Sequence, residues 1–127
     1  MIDSEAPIRI RISRLQDGTF VLSLSGELDV VSVPRFESHL ALVPPGAAVV
    51  VDLSELEFVD SSGLNCLAVC GRRADERGTR VVLAAPLPHV AKVFAVVRLD
   101  EILAVEPSVD EALARLGDVE RRETTGE

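Results

Sequence analysis

From Ile8 to Arg14 the chain alternates apolar and polar residues (IRIRISR), the period-two pattern of a strand with one buried face. Gln16-Asp17-Gly18 is turn chemistry, and the alternation resumes from Phe20 to Ser25. Two strands one turn apart are expected to pair as an antiparallel hairpin. Gly26-Glu27-Leu28-Asp29 breaks the pattern, and Asp29 or Ser32 stands where a cap would open a helix reaching about Val43. Pro34 is compatible with the first turn of that helix, and Val33, Phe36, Leu40 and Val43 form its apolar stripe. Pro44-Pro45-Gly46 ends it. The run from Ala47 to Leu53, apolar except for Asp52, then reads as a strand buried on both faces, the kind found inside a parallel sheet.

A loop is expected from Ser54 to Val59, followed by a helix from about Ser62 to Arg77. That helix places Leu64, Leu67, Ala68 and Gly71 inward and Arg72, Arg73, Asp75 and Glu76 outward, with Gly78 as its stop. Val81–Ala85 repeats the buried-strand pattern. Pro88 opens a helix carrying Val90, Val93, Phe94 and Val97, a short strand covers Ile102–Val105, and Ser108 caps a last helix through Leu116. The tail from Asp118 to Glu127 is polar and is expected to fray. Strand–helix–strand units require parallel pairing, so the order implies a mixed α/β sheet: an N-terminal antiparallel hairpin, strand–helix repeats and about four helices. A chain of 127 residues fits one domain, with its core between about 8 and 116.

Composition narrows the function. There is no Trp or Tyr, so Val, Leu, Ile and Ala must build the core. A net charge of −8 argues against direct binding to nucleic-acid phosphates, which needs a basic face. No run approaches the roughly 18 apolar residues of a membrane span, and MIDSEAPIRI lacks the pattern of a signal peptide, so a cytoplasmic protein without membrane contact is expected. Cys66 and Cys70 fall four apart on a predicted helix, which disfavours a disulfide between them, and no histidine lies at metal-ligand spacing. Helix packing is the reading for both thiols.

The chemistry gathers at FVDSSGLN, Phe58 to Asn65, where an acid, two hydroxyls and a glycine join an apolar run to a helix. Ser61 or Ser62 could cap that helix, with Gly63 relaxing the turn, although Leu64 and Asn65 supply no capping-box partner. A helix that follows a buried parallel strand aims its N-terminus at the carboxyl end of the sheet, where such folds present their sites. Backbone N–H groups and the helix dipole there favour an anion, including a phosphate on serine. A serine nucleophile would need a base, and no G-x-S-x-G elbow, P-loop or G-x-G-x-x-G is present. His39 and His89 lie in or beside other helices.

GELD at 26–29, VVVDLSELEFVDSSGLNCL at 49–67 and PHVAKVF at 88–94 together resemble a STAS domain, and specifically bacterial anti-sigma-factor antagonists. The resemblance runs from about Ile8 to Leu116. It implies that the protein is no enzyme but binds an anti-sigma factor that is also a serine kinase, freeing the sigma factor for RNA polymerase. The kinase brings its own ATP and phosphorylates the first serine after the motif aspartate, here Ser61. Phosphorylation releases the antagonist, and a phosphoserine phosphatase restores it. Asp60, Ser62 and Gly63 complete the motif, and Glu27 and Asp29 are expected to support the site and the partner's docking. The chain itself then needs no cofactor and no metal.

Two other roles remain open on the sequence. A response-regulator receiver would accept phosphate on Asp52 or Asp60, with Glu27 and Asp29 around Mg²⁺. It should open strand–helix–strand, however, and carry a lysine after the strand 81–85, whereas the only lysine is Lys92. A STAS module can also serve as a scaffold or ligand sensor. A hydrolase using Ser61 has no positioned base. The segment VAKVFAVV, Val90 to Val97, is apolar beyond one stripe and is expected to pack on the sheet, an exposed patch being the sign of a second contact surface.

Overall fold

The structure, a computed structural model, describes residues 8–125. The chain runs β1 (Ile8–Arg14), β2 (Phe20–Leu28), α1 (Val33–Leu40), β3 (Ala48–Val59), α2 (Ser61–Arg77), β4 (Arg80–Ala84), α3 (Pro88–Val96), a 3-10 turn (Leu99–Glu101), β5 (Ala104–Glu106) and α4 (Val109–Thr125). All five strands form one sheet in the order β1-β2-β3-β4-β5. β1 pairs antiparallel with β2, and each later neighbour pairs parallel. The mixed α/β sheet with a hairpin edge is therefore as expected. The hairpin turn is closed locally: Asp17 Oδ1 accepts the Thr19 N–H at 2.9 Å, and Gly18 takes a positive φ of 90°.

The apolar run in β3 is explained by two cores. Val49, Val51 and Leu53 face a large cluster with Leu22 and Leu24 of β2 and with Phe36, Leu67 and Phe94 from the first three helices. Ala48 and Val50 face the opposite side, where Val82, Ala84, Ala112 and Leu116 pack under α4. Successive side chains point to opposite faces, so the stretch Ala48–Val51, covered on both sides, is apolar at every position.

Several boundaries move. The expected loop Ser54–Val59 is instead the second half of β3. It pairs with the end of β2 (Ser25 with Glu55, Leu28 with Val59) after two register shifts, between Ser23 and Ser25 and between Gly26 and Glu27. Along this half of the strand Leu56 and Val59 are buried while Phe58 is half exposed, so burial no longer follows a simple alternation. α1 stops at Leu40 and not at Val43, and Ser32 occupies its cap position without a side-chain cap bond. Gly78 terminates α2 in the left-handed conformation (φ 72°), as expected. The last strand begins at Ala104, after the 3-10 turn.

Ser108 does cap α4: its Oγ accepts the Glu111 N–H at 3.0 Å and donates to the Glu111 carboxylate at 3.0 Å, a capping box. α4 runs on to Thr125, nine residues past its expected end, in place of the frayed tail. Residues 1–7 and 126–127, the latter part of the expected tail, lie outside the described residues.

α3 departs from expectation in a second way. Val90 and Phe94 are buried, but Val93 and Val97 are exposed and Val96 is 78 % exposed. At nine residues the helix offers only one stripe to the sheet. The segment is therefore not packed as a whole.

Candidate functional site at the head of the second helix

Backbone pairing builds this site. The parallel register sets Glu27 beside Phe58 and Leu28 beside Val59, and the Leu28 carbonyl accepts the Asp60 N–H at 3.2 Å. Glu27–Asp29 and Phe58–Asp60 are thus brought together at the carboxyl ends of β2 and β3, the position expected from the fold class.

Asp60 is the N-cap of α2. Its backbone is extended (φ −101°, ψ −174°), and its Oδ1 accepts the Gly63 N–H at 2.9 Å. The expectation that Ser61 or Ser62 caps the helix is corrected, because the carboxylate of Asp60 satisfies the N–H that a serine cap would have taken. Ser61 is the first helical residue, exposed, and its hydroxyl makes no hydrogen bond among the described residues. Ser62 is half-buried and also does no capping.

The role expected of Gly63 is corrected too. It lies inside the helix, buried, and is not a relaxed turn. A Cβ there would stand 2.7 Å from Val59 Cγ2 and closer still to the Leu28 carbonyl oxygen. The glycine allows α2 to start directly against the β2–β3 backbone, and so fixes where Ser61 emerges.

Glu27 and Asp29 shape the neighbouring loop. Asp29 Oδ1 accepts the N–H groups of Val31 and Ser32, each at 3.0 Å. The buried Ser32 hydroxyl donates to the Glu27 carbonyl at 2.8 Å and accepts the Asp29 N–H at 2.9 Å. These bonds consume the hydroxyl and carboxylate read as candidate caps of α1, which explains its bare N-terminus. Glu27 contributes its backbone here, and its side chain is exposed.

Three residues bordering the site escaped the sequence reading. Val30 and Val31 are 67 % and 69 % exposed, and Phe58 is 48 % exposed. The signal was present in DVVSV, where two valines follow an acid outside any strand or helix period. Their exposure follows only from the Asp29–Ser32 turn.

His89 donates from Nε2 to the Glu57 carbonyl at 2.6 Å, since a carbonyl can only accept. This bond pins the first turn of α3 to the outer half of β3. His39 likewise donates from Nδ1 to the Arg35 carbonyl at 2.8 Å, within its own helix. Neither imidazole forms a hydrogen bond with Ser61. Asp52 sits mid-strand in β3, paired with Ser23 and Ala84, away from the carboxyl end of the sheet where Glu27, Asp29 and Asp60 lie. Among the described residues no three His, Cys, Asp or Glu side chains group as a metal site. Cys66 and Cys70 are buried, and burial, with Glu37 nearby, pushes their pKa values up to about 12 and about 11. Arg72 and Arg73 face outward, as expected, and no described helix is long and apolar enough to cross a membrane.

Comparison with known proteins adds to this geometry. A family model described as "Mlab, STAS domain" matches residues 13–105. BtrV of Bordetella bronchiseptica, provisionally named an anti-sigma factor antagonist, is 29% identical over 100 residues, 77% of this chain and 86% of its own. The crystal structure of an anti-sigma factor antagonist from Mycobacterium paratuberculosis superposes with a TM-score of 0.71 at 34% identity, covering 85% of this chain and 92% of the other. The Bacillus cell fate determinant SpoIIAA in its phosphorylated form has the same fold, with a TM-score of 0.63 at 23% identity and coverage of 85% and 99%.

Proposed function

The chain belongs to the STAS domain family of anti-sigma-factor antagonists, and we propose that it binds an anti-sigma serine kinase, frees the sigma factor, and is released when that kinase phosphorylates Ser61. The observation that carries this reading is the division of labour at Asp60–Ser61. The acid caps α2, which leaves the neighbouring hydroxyl exposed and unbonded on the first turn. A serine that capped the helix would cost about 1 kcal/mol to recruit. Ser61 carries no such cost.

A phosphate on Ser61 would add about −1.5 to −2 charge at a helix N-terminus, where free N–H groups and the dipole tolerate an anion. The fold is retained while the rim around Glu27, Asp29 and Asp60 becomes more negative. A partner seated on Val30, Val31 and Phe58 then meets a desolvated, unpaired charge, a penalty of several kcal/mol. Among proteins of this fold, SpoIIAA is described in a phosphorylated form, which supports the same chemistry here. In this reading the protein is a kinase substrate and not a catalyst. It works in the cytoplasm without contacting nucleic acid, the kinase supplies ATP, and a separate phosphatase resets Ser61.

The test is intact-mass analysis after incubation with ATP and each anti-sigma kinase of the same organism, with Ser61→Ala as control. One added phosphate that disappears in Ser61→Ala, together with weaker binding of Ser61→Asp, is the expected outcome. A kinase that binds tightly but adds no phosphate, or that binds Ser61→Asp as tightly as the native chain, would refute the switch. A STAS scaffold or ligand sensor would bind none of the kinases.

A further inference from the structure

Away from the phosphorylation site, α1 and α2 do not close on each other. A cleft of about 150 Å³ lies between them, over the start of β4. Its floor and walls are apolar: Phe36, Leu40 and Val43 on one side, Val69 and Val81 on the other, with both thiols in the lining. Thr79, only 7 % exposed, also lines it, and its Oγ1 is buried without a hydrogen-bond partner. Such an orphan atom is rare where protein groups alone fill the space.

Charge at the mouth is asymmetric. Arg73 and Arg77 line the cleft from α2, one helical turn apart on the same face, and neither forms an ion pair among the described residues. Glu37 is the single acid in the lining, and the Cys66 thiol donates to its carboxylate at 4.0 Å. Two cations against one acid leave a net positive mouth on a chain whose formal net charge is −8. The separation of apolar floor from cationic rim suits an amphipathic anion and disfavours both a free inorganic ion and a plain hydrocarbon.

We propose that this cleft binds a small monocarboxylate, its compact apolar body between α1 and α2 and its carboxylate at Arg73 and Arg77. Volume sets the size. An apolar cavity of about 150 Å³ holds a benzene-sized group, so the body is about six carbons and a long acyl chain does not fit. The site is independent of the switch at Ser61 and does not require the kinase reading.

The experiment is a titration of the full chain with hexanoate and with benzoate, followed by amide chemical shifts in ¹H–¹⁵N spectra and by the rate of thiol modification with N-ethylmaleimide. Hexanol, of the same length and uncharged, is the control. Saturable shifts confined to α1, α2 and the start of β4, slower thiol modification, and about tenfold tighter binding of hexanoate than hexanol support the proposal. Arg73→Gln combined with Arg77→Gln should remove that preference and leave hexanol binding unchanged. Both substitutions are at exposed positions, so folding is not at risk.

Ala41→Leu, at the exposed end of the α1 wall, should obstruct both ligands. Absence of saturable shifts, shifts spread over the surface, or equal affinity for hexanoate and hexanol would overturn it. Saturation by hexanol alone would identify an apolar anchor point for a protein partner and likewise end the carboxylate assignment.

Discussion

Replacing Gly63 with alanine tests how the site is built. The added Cβ would press on the Leu28 carbonyl oxygen and lie 2.7 Å from Val59 Cγ2. That carbonyl is held in place by the Asp60 N–H, so relief must come from moving the start of α2. Overpacking of a close contact costs about 1–3 kcal/mol, and a backbone neighbour that cannot swing aside puts this case in the upper half. The helix preference of Ala over Gly returns at most about 1 kcal/mol. A net loss of about 1–2 kcal/mol remains.

At roughly 2.1 cal/mol/K per residue, unfolding a chain of this length gives about 4 °C per kcal/mol, so Tm should fall by about 4–8 °C. The assay is thermal unfolding by circular dichroism, since the chain has no Trp or Tyr to follow by fluorescence. Gly71→Ala is the internal reference. Its Cβ would meet Leu103 Cγ at 2.8 Å, Leu103 Cδ2 at 2.9 Å and Ile102 Cγ2 at 3.2 Å, all side-chain atoms and none of them backbone, although Leu103 is itself buried and some overpacking remains. Deep in the helix, it also recovers the full propensity gain, so a smaller loss than at Gly63 is expected. A Tm for Gly63→Ala at or above the native value would refute the close-approach argument, as would an equal loss in Gly71→Ala.

Asp60→Ala should cost about 1 kcal/mol through the lost cap on Gly63, with Asp60→Asn close to native, both measured by urea unfolding. Equal losses in the two would mean that charge and not capping is what matters there. Phe94→Ala should cost about 3–5 kcal/mol, while Val96→Ser stays within about 0.5 kcal/mol, a direct check that only one face of α3 is packed.

Cys66 and Cys70 have folded-state pKa values raised from 9.0 to about 12 and about 11, so folding favours the protonated thiols. Their contribution is fully present below about pH 9 and is lost as pH rises through 11 and 12. Stability measured by urea at pH 8 and pH 10 should therefore fall more steeply in the native chain than in Cys66→Ala/Cys70→Ala. Parallel slopes would refute the assignment.

Much of the fold was legible because its signals are local. The hairpin turn at Asp17-Gly18, the stop at Gly78 and the cap at Ser108 each depend on residues within a few positions, and each appears where the pattern put it. The apolar run Ala48–Val51 in β3 predicted burial on both faces for the same reason. The outer half of β3 was not legible. Glu55-Leu56-Glu57-Phe58 does alternate, but the stretch is short and acidic, and the structure buries Leu56 and Val59 while leaving Phe58 half exposed, a pattern set by its pairing with β2 across two register shifts. Likewise, no periodicity could tell that α3 leaves Val96 in water, since that depends on how much sheet remains for a nine-residue helix to cover.

At the candidate site, the chain alone showed which residue types gather: an acid, two hydroxyls and a glycine at a strand-to-helix junction aimed out of the sheet's carboxyl end. Tertiary structure decided what each one does. Several donors and acceptors compete over a few residues, and the sequence pattern put the cap on Ser61 or Ser62 and not on Asp60. The bond from Asp60 to the Leu28 carbonyl holds the acid in the extended conformation that lets its side chain reach Gly63. That long-range contact makes the aspartate the cap, leaves Ser61 exposed and unbonded, and turns Gly63 into the spacer that admits the β2 backbone.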